Sequence, residues 1–175
     1  MESWQEAIWT AVQSEFAGIT DVEEVTRILI RLLMAAILGA VLGFERESKG
    51  KSAGVRTHML VSLGAALFVL APSMAGADAQ ALSRVIQGIV AGIGFLGAGT
   101  ILKGNGRETS HVKGLTTAAG LWMTAAIGTA AGMGREATAL ISTIMALLVL
   151  RSMPMLVEKM DKPTEEKRRE ENGKH

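Results

Sequence analysis

Five long apolar runs, Val25–Phe44, Met59–Ala75, Val85–Leu102, Leu115–Met133 and Ala137–Leu156, take up most of this chain and leave only short connections between them. A helix that crosses a bilayer needs about 20 apolar residues, with a working range of about 17–25. All five runs qualify, although the second is short and carries Pro72 and Ser73 near its end. Pro154 falls late in the fifth, where a helix can kink. A soluble helical core is the alternative, and it fails because the connections hold too little polar surface to cover five such runs. The predicted fold is all-α: a polytopic membrane bundle of five transmembrane helices, with neighbours antiparallel because the connections are short.

Charge sets the expected orientation, since Lys and Arg accumulate on the cytoplasmic side of a membrane protein. Arg46, Lys49, Lys51 and Arg56 follow the first run, and Lys103, Arg107 and Lys113 follow the third. Seven more lie in the tail: Arg151, Lys159, Lys162, Lys167, Arg168, Arg169 and Lys174. Together these are 14 of the 18 basic residues. Arg27, Arg31, Arg84 and Arg135 remain for the other side, beside an acidic N-terminus. An odd number of spans reconciles the pattern, with the N-terminus outside and the C-terminus cytoplasmic.

Three regions follow. Residues 1–24 form an extracytoplasmic amphipathic segment, in which Trp4, Ile8, Val12 and Phe16 recur every four residues with Trp9 on the margin. Such a stripe suits a membrane surface, where Trp is favoured. The segment lacks the basic and apolar regions of a signal peptide. Residues 25–157 form the transmembrane domain. Residues 158–175 form a charged cytoplasmic tail, alternating acid and base and suited to a surface helix or to contact with anionic lipid.

Glycine is concentrated inside the apolar runs. Gly39 and Gly43 make a GxxxG pair in the first, and Gly88 and Gly92 another in the third. Gly94, Gly97 and Gly99 follow in Gly92–Ala119, the stretch expected to form the tight centre of the bundle, which re-enters apolar sequence at Gly114, Leu115, Thr116 and Thr117. Gly120, Thr124, Gly128 and Gly132 continue a small-residue stripe down the fourth run. Small residues let membrane helices approach closely, within one subunit or between subunits, and both uses stay open. Arg31 and Arg84 each begin a span, and the spans after them enter at Gly54-Val55-Arg56-Thr57 and Gly114-Leu115-Thr116-Thr117. This suggests a parallel two-helix repeat with a fifth helix added.

The candidate site is the cytoplasmic mouth, where Glu45, Arg46 and Glu47 end the first span and Arg56, Thr57 and His58 open the second. One reading makes these interfacial anchors. The other has Glu45 facing the bundle and pairing with Arg56. Enzyme chemistry finds little support: the three His are His58, His111 and His175, and no HExxH, GxSxG, P-loop or paired-carboxylate pattern occurs. Ser110-His111 is a pair with no third member. No cofactor and no nucleic-acid partner are expected, and with no Cys in the chain thiol chemistry is excluded.

Gly43-Phe44-Glu45-Arg46-Glu47 and Lys51-Ser52-Ala53-Gly54-Val55-Arg56-Thr57-His58 resemble the first signature of the MgtC/SapB membrane-protein family. Gly92-Ile93-Gly94-Phe95-Leu96-Gly97-Ala98-Gly99-Thr100-Ile101 and Gly114-Leu115-Thr116-Thr117-Ala118-Ala119 resemble its second and third. The resemblance runs from about Arg31 to Gly134 and implies a multi-pass protein of the bacterial inner membrane with about five spans. It also implies a role in growth at low magnesium, in virulence and in control of the membrane ATP synthase. Members are often labelled magnesium transport proteins. Longer members carry a soluble cytoplasmic domain after the last span, and this chain is expected to be a short form without it.

Mg²⁺ is held by oxygen ligands, usually carboxylates with retained waters. The five runs contain no Asp or Glu; the nearest are Glu45, Glu47 and Glu108 on one side and Asp78 and Glu136 on the other. A pore could still use backbone carbonyls where Gly94–Gly99 unwinds. The metal ligands are therefore unassigned. Two functions follow: a regulator that binds another membrane protein, or a second copy, through small-residue faces, and a transporter or channel for Mg²⁺ or another ion.

Overall fold

The computed structural model of the protein describes residues 3–16, 21–101 and 113–152. Among them all regular structure is helical: α1 Trp4–Glu15, α2 Val22–Ser48, α3 Val55–Met74, α4 Ala79–Ile101 and α5 Leu115–Gly132, then α6 over residues 136–152. The basic loop from Lys103 to residue 112, the pair Ser110-His111, the end of the fifth apolar run and the tail 158–175 lie outside the described residues.

α2, α3 and α4 each start ahead of their apolar run, because polar caps sit outside the hydrophobic stretch. Asp21 accepts the N–H groups of Glu23 and Glu24 at 3.0 and 3.2 Å and so starts α2. Asp78 accepts the N–H of Ala81 at 2.7 Å and starts α4. Each carboxylate satisfies donors that the first helical turn leaves without partners. α2, α3 and α4 are long and apolar enough to cross a membrane, with mean hydropathy 2.1, 1.6 and 1.5. α5 is diluted by Gly and Thr. On α1 a reciprocal Ser3–Glu6 capping box closes the start. Its stripe of Trp4, Ile8, Val12 and Phe16 is exposed, and it packs on none of α2 to α5.

Contacts at the two ends show that α2, α4 and α6 run one way and α3 and α5 the other. At one end Arg31 of α2 donates to the carbonyl of Gly132, at the end of α5, at 3.2 Å. The last carbonyls of a helix lack intrahelical donors, and a cation there is favoured. At the opposite end Lys49, just past α2, donates to the carbonyl of Leu150 in α6 at 3.0 Å. In a continuing helix that carbonyl would receive the N–H of residue 154, which is proline and has none. Lys49 supplies the missing donor.

The centre of the bundle is α3 and α5, rather than the glycine-rich α4. One buried cluster joins Ala35, Leu38 and Leu42 of α2 to Ala66 of α3, Ile127 and Ala131 of α5 and Ala139 of α6. A second joins Ala53, Ala65, Ile93, Leu121 and Ala125. α3 and α5 contribute to both clusters; in α4 only Ile93 and Gly97 are buried. The glycines that hold the bundle follow this division. A Cβ at Gly39 would lie 2.7 Å from the carbonyl oxygen of His58, and one at Gly43 would lie 2.6 Å from Cα of Val55. One at Gly128 would strike the carbonyl of Ser62, and one at Gly132 would lie 2.7 Å from Cα of Ala66. Backbone therefore meets backbone along both faces of α3.

Within the subunit this corrects the packing expected at Gly88, Gly92, Gly94 and Gly99. No atom beyond the local helix would meet a Cβ at any of the four within 4 Å. Gly97 makes only an ordinary contact, with Ala118 at 3.5 Å. Glycine content alone does not tell which face of a helix is occupied. Gly114 is confined for a different reason: it starts α5 at φ 99°, a conformation that suits glycine, and a Cβ there would collide with the Thr100 carbonyl.

Candidate functional site at the basic end of the bundle

α2 ends in Gly43-Phe44-Glu45-Arg46-Glu47-Ser48, and helical periodicity sends these residues in different directions. Gly43, Glu45 and Arg46 are buried, whereas Phe44 and Glu47 are exposed. Glu45 and Arg46 are each 3% exposed, an uncommon state for charged residues. Two cations accompany the carboxylate. Lys49 Nζ lies 2.6 Å from Oε1, one helical turn on, and Arg46 Nη1 lies 3.5 Å from Oε2. Neither contact has hydrogen-bonding geometry, and Arg46 Nε and Nη2 are also without partners among the described residues. The ion cluster is held by charge and burial rather than by directed bonds. Removing one member would strand a buried charge, which is costly.

His58, on the first turn of α3, is 1% exposed and lies between α2 and α5. Its Nδ1 donates to the carbonyl of Gly54 at 3.0 Å, so in the neutral ring the lone pair sits on Nε2. Nε2 has no partner among the described residues and faces Gly120. With Leu42, Thr116, Ala119, Met123 and Met145 it lines a mostly apolar cavity of about 290 Å³. Ser62 is fully buried one turn further along α3, and its Oγ is likewise unpartnered.

Glu47 is occupied by the fold. Its Oε2 accepts the N–H of Val55 at 2.8 Å and caps α3, whose cap residue Gly54 has no side chain to do so. The pairing expected between Glu45 and Arg56 is not formed. Arg56 is exposed, and Lys49 and Arg46 hold the carboxylate instead. Thr57 is also exposed, lining a second cavity of about 760 Å³ beside the start of α5. Of the six residues singled out in sequence, Glu45, Arg46 and His58 thus turn inward, and Glu47, Arg56 and Thr57 turn outward. The packing residues divide as well: Thr117 is buried, and Thr116 is exposed.

Lys49, Ser62 and the capping role of Glu47 were not anticipated. The spacing of Glu45 to Lys49, one favourable helical turn, was the available signal for the first. Ser62, four residues after His58, shares its helical face. Among the described residues no three His, Cys, Asp or Glu side chains converge in a way that could hold a metal ion.

Comparison with known proteins places this architecture. The chain is 47% identical over 137 residues to Protein SrpB of Synechococcus elongatus, covering 72% of this chain and 74% of that one. It is 43% identical over 129 residues to the putative magnesium transporter YhiD of Escherichia coli, covering 70% and 58%. It is 44% identical over 119 residues to Protein MgtC of Salmonella typhimurium, covering 68% and 49%. The chain thus spans about half to three-quarters of the length of these relatives. No solved structure matches. The model of the MgtC family matches residues 32–159, from α2 past the described part of α6. The chain belongs to the MgtC family.

Proposed function

We propose that this protein is a five-span membrane protein of magnesium homeostasis, acting as a regulator that binds another integral membrane protein rather than as a carrier of Mg²⁺. The observation that carries this reading is the state of the two carboxylates at the basic end. Glu45 is neutralised by Lys49 at 2.6 Å and Arg46 at 3.5 Å, and Glu47 is committed to the start of α3. A Mg²⁺ ion would have to displace the protein's own cations to use Glu45.

The regulator reading also draws on the outer face of α4. Gly88 and Gly92 lie one turn apart with open space above them, and with Gly64 of α3 they floor a shallow apolar groove. Small residues on a lipid-facing surface allow a partner helix to approach closely. Family resemblance points to the membrane ATP synthase as that partner, and the name of the YhiD relative points to the alternative, transport of Mg²⁺ or another ion. We place the five spans in the inner membrane with the N-terminus outside and the basic end cytoplasmic, as the distribution of Lys and Arg supports.

The test is Gly88→Leu combined with Gly92→Leu. A Cβ at either position meets nothing within 4 Å and the groove above is open, so the longer side chains have room and membrane abundance and detergent stability should be kept. Growth of a deletion strain at low Mg²⁺ should no longer be rescued. Full rescue by the double variant would overturn the role of this face.

A further inference from the structure

The 760 Å³ cavity at the basic end is not used by the regulatory reading, and its chemistry is distinctive. It lies between the α2–α3 turn and the start of α5. Lys51 and Lys113 line it, with the hydroxyl-bearing Ser52 and Thr57, and the described residues around it include no carboxylate. α5 begins here on Gly114, which has no side chain to cap with, and no described residue caps the N–H groups of its first turn. These donors and the positive end of the helix dipole favour an anion.

A helix start is insufficient evidence alone, and two further observations point the same way. Thr117 is 3% exposed and lines this cavity, and its hydroxyl makes no hydrogen bond to a described residue, although its oxygen is not sealed from solvent. A ligand oxygen in the cavity would give that hydroxyl a partner on a side chain that is otherwise held in place by packing. The second observation is internal to the chain. The entry of α3, Gly54-Val55-Arg56-Thr57, is the sequence counterpart of Gly114-Leu115-Thr116-Thr117 at the entry of α5. Both helices start on a glycine, which has no side chain of its own to cap with. At α3 an oxyanion fills the position: the carboxylate of Glu47, 2.8 Å from the Val55 N–H.

We propose that the cavity lined by Lys51, Lys113, Thr117 and the start of α5 binds a phosphate-class oxyanion. The anion accepts the first-turn N–H groups of α5 and the Thr117 hydroxyl, and the two ammonium groups balance its charge. A free phosphate and the phosphate of an anionic lipid headgroup share this chemistry. The site stands independently of whether the protein regulates or transports.

The experiment is calorimetric titration of the full-length protein in dodecyl maltoside, which contains no phosphate. The probes are inorganic phosphate and, separately, dioctanoyl phosphatidic acid. Saturable binding is expected, weakened at least fivefold by Lys51→Gln, Lys113→Gln and the near-isosteric Thr117→Val, and unchanged by Arg151→Gln outside the cavity. Binding of inorganic phosphate identifies a free anion as ligand; binding of phosphatidic acid alone identifies a headgroup. A thermal melt of each variant separates lost binding from lost folding, and Lys51, being exposed, can be replaced without disturbing the core. Three outcomes would overturn the proposal: saturable binding of neither probe, affinity indifferent to these substitutions, or binding that emerges only in Glu108→Gln. The last would mean that the chain's own carboxylate fills the site.

Discussion

Gly128 and Gly92 are both glycines of apolar helices, and the structure predicts opposite results for the same substitution. A Cβ at Gly128 would strike the Ser62 carbonyl oxygen and lie 2.8 Å from both C and Cα of Ser62. Those atoms are backbone at the centre of the bundle, so relief requires α3 and α5 to move apart. Overpacking of this kind costs about 1–3 kcal/mol. The gain in helix propensity from Gly to Ala offsets up to about 1 kcal/mol of it. Gly128→Ala should therefore destabilise by roughly 1–2 kcal/mol net, and Gly128→Leu by more. At Gly92 a Cβ meets nothing within 4 Å. Gly92→Ala should be neutral or stabilise by up to about 1 kcal/mol. The assay is reversible unfolding in mixed detergent micelles, followed through the fluorescence of Trp122 on α5. Equal destabilisation by the two substitutions would refute the assignment of α3 and α5 as the centre. So would tolerance at Gly128 with damage at Gly92.

Arg46→Met leaves Glu45 buried with only Lys49 beside it and should cost about 3–5 kcal/mol in the same unfolding assay, while replacing Glu45 and Arg46 together by Gln and Met should cost less than the sum of the single changes. Glu47→Ala removes the cap on Val55 and should cost about 0.5–2 kcal/mol. Arg56→Gln, at an exposed position, should stay within about 0.5 kcal/mol of the parent, so a large loss would restore the pairing with Glu45 that the structure does not form. The chain has no Cys; single cysteines at positions 3, 52, 77, 110 and 164 should react with an impermeant thiol reagent on intact cells only at 3 and 77, and labelling at 52 or 110 would contradict the five-span orientation.

What the sequence makes legible here is whatever periodicity and apolar length encode. Five apolar runs mark the positions of α2 to α6, and Gly39, Gly43, Gly128 and Gly132 mark faces that do pack. The same rule misleads on α4, because absence of a side chain permits a close approach without saying that a neighbour arrives. At the site, burial of Glu45 and His58 follows from their place one turn from Leu42 and Gly54 respectively, on faces that turn toward other helices. The partner of Glu45 was less legible. Opposite charge pointed to Arg56 across the turn, but helical direction puts Arg56 outside and brings Lys49 back over Glu45. Lys49 also depends on a contact with Leu150, about a hundred residues away in sequence, which local pattern does not reveal.

Mg²⁺ flux into sealed vesicles holding the purified full-length protein separates a regulator from a carrier. No flux above that of protein-free vesicles is expected, because Glu45 and Glu47 are already engaged by Lys49, Arg46 and the start of α3. In parallel, Glu45→Gln should impair growth at low Mg²⁺ with membrane abundance kept. Saturable, Mg²⁺-selective flux that is abolished by Glu45→Gln would contradict the account and establish a transporter.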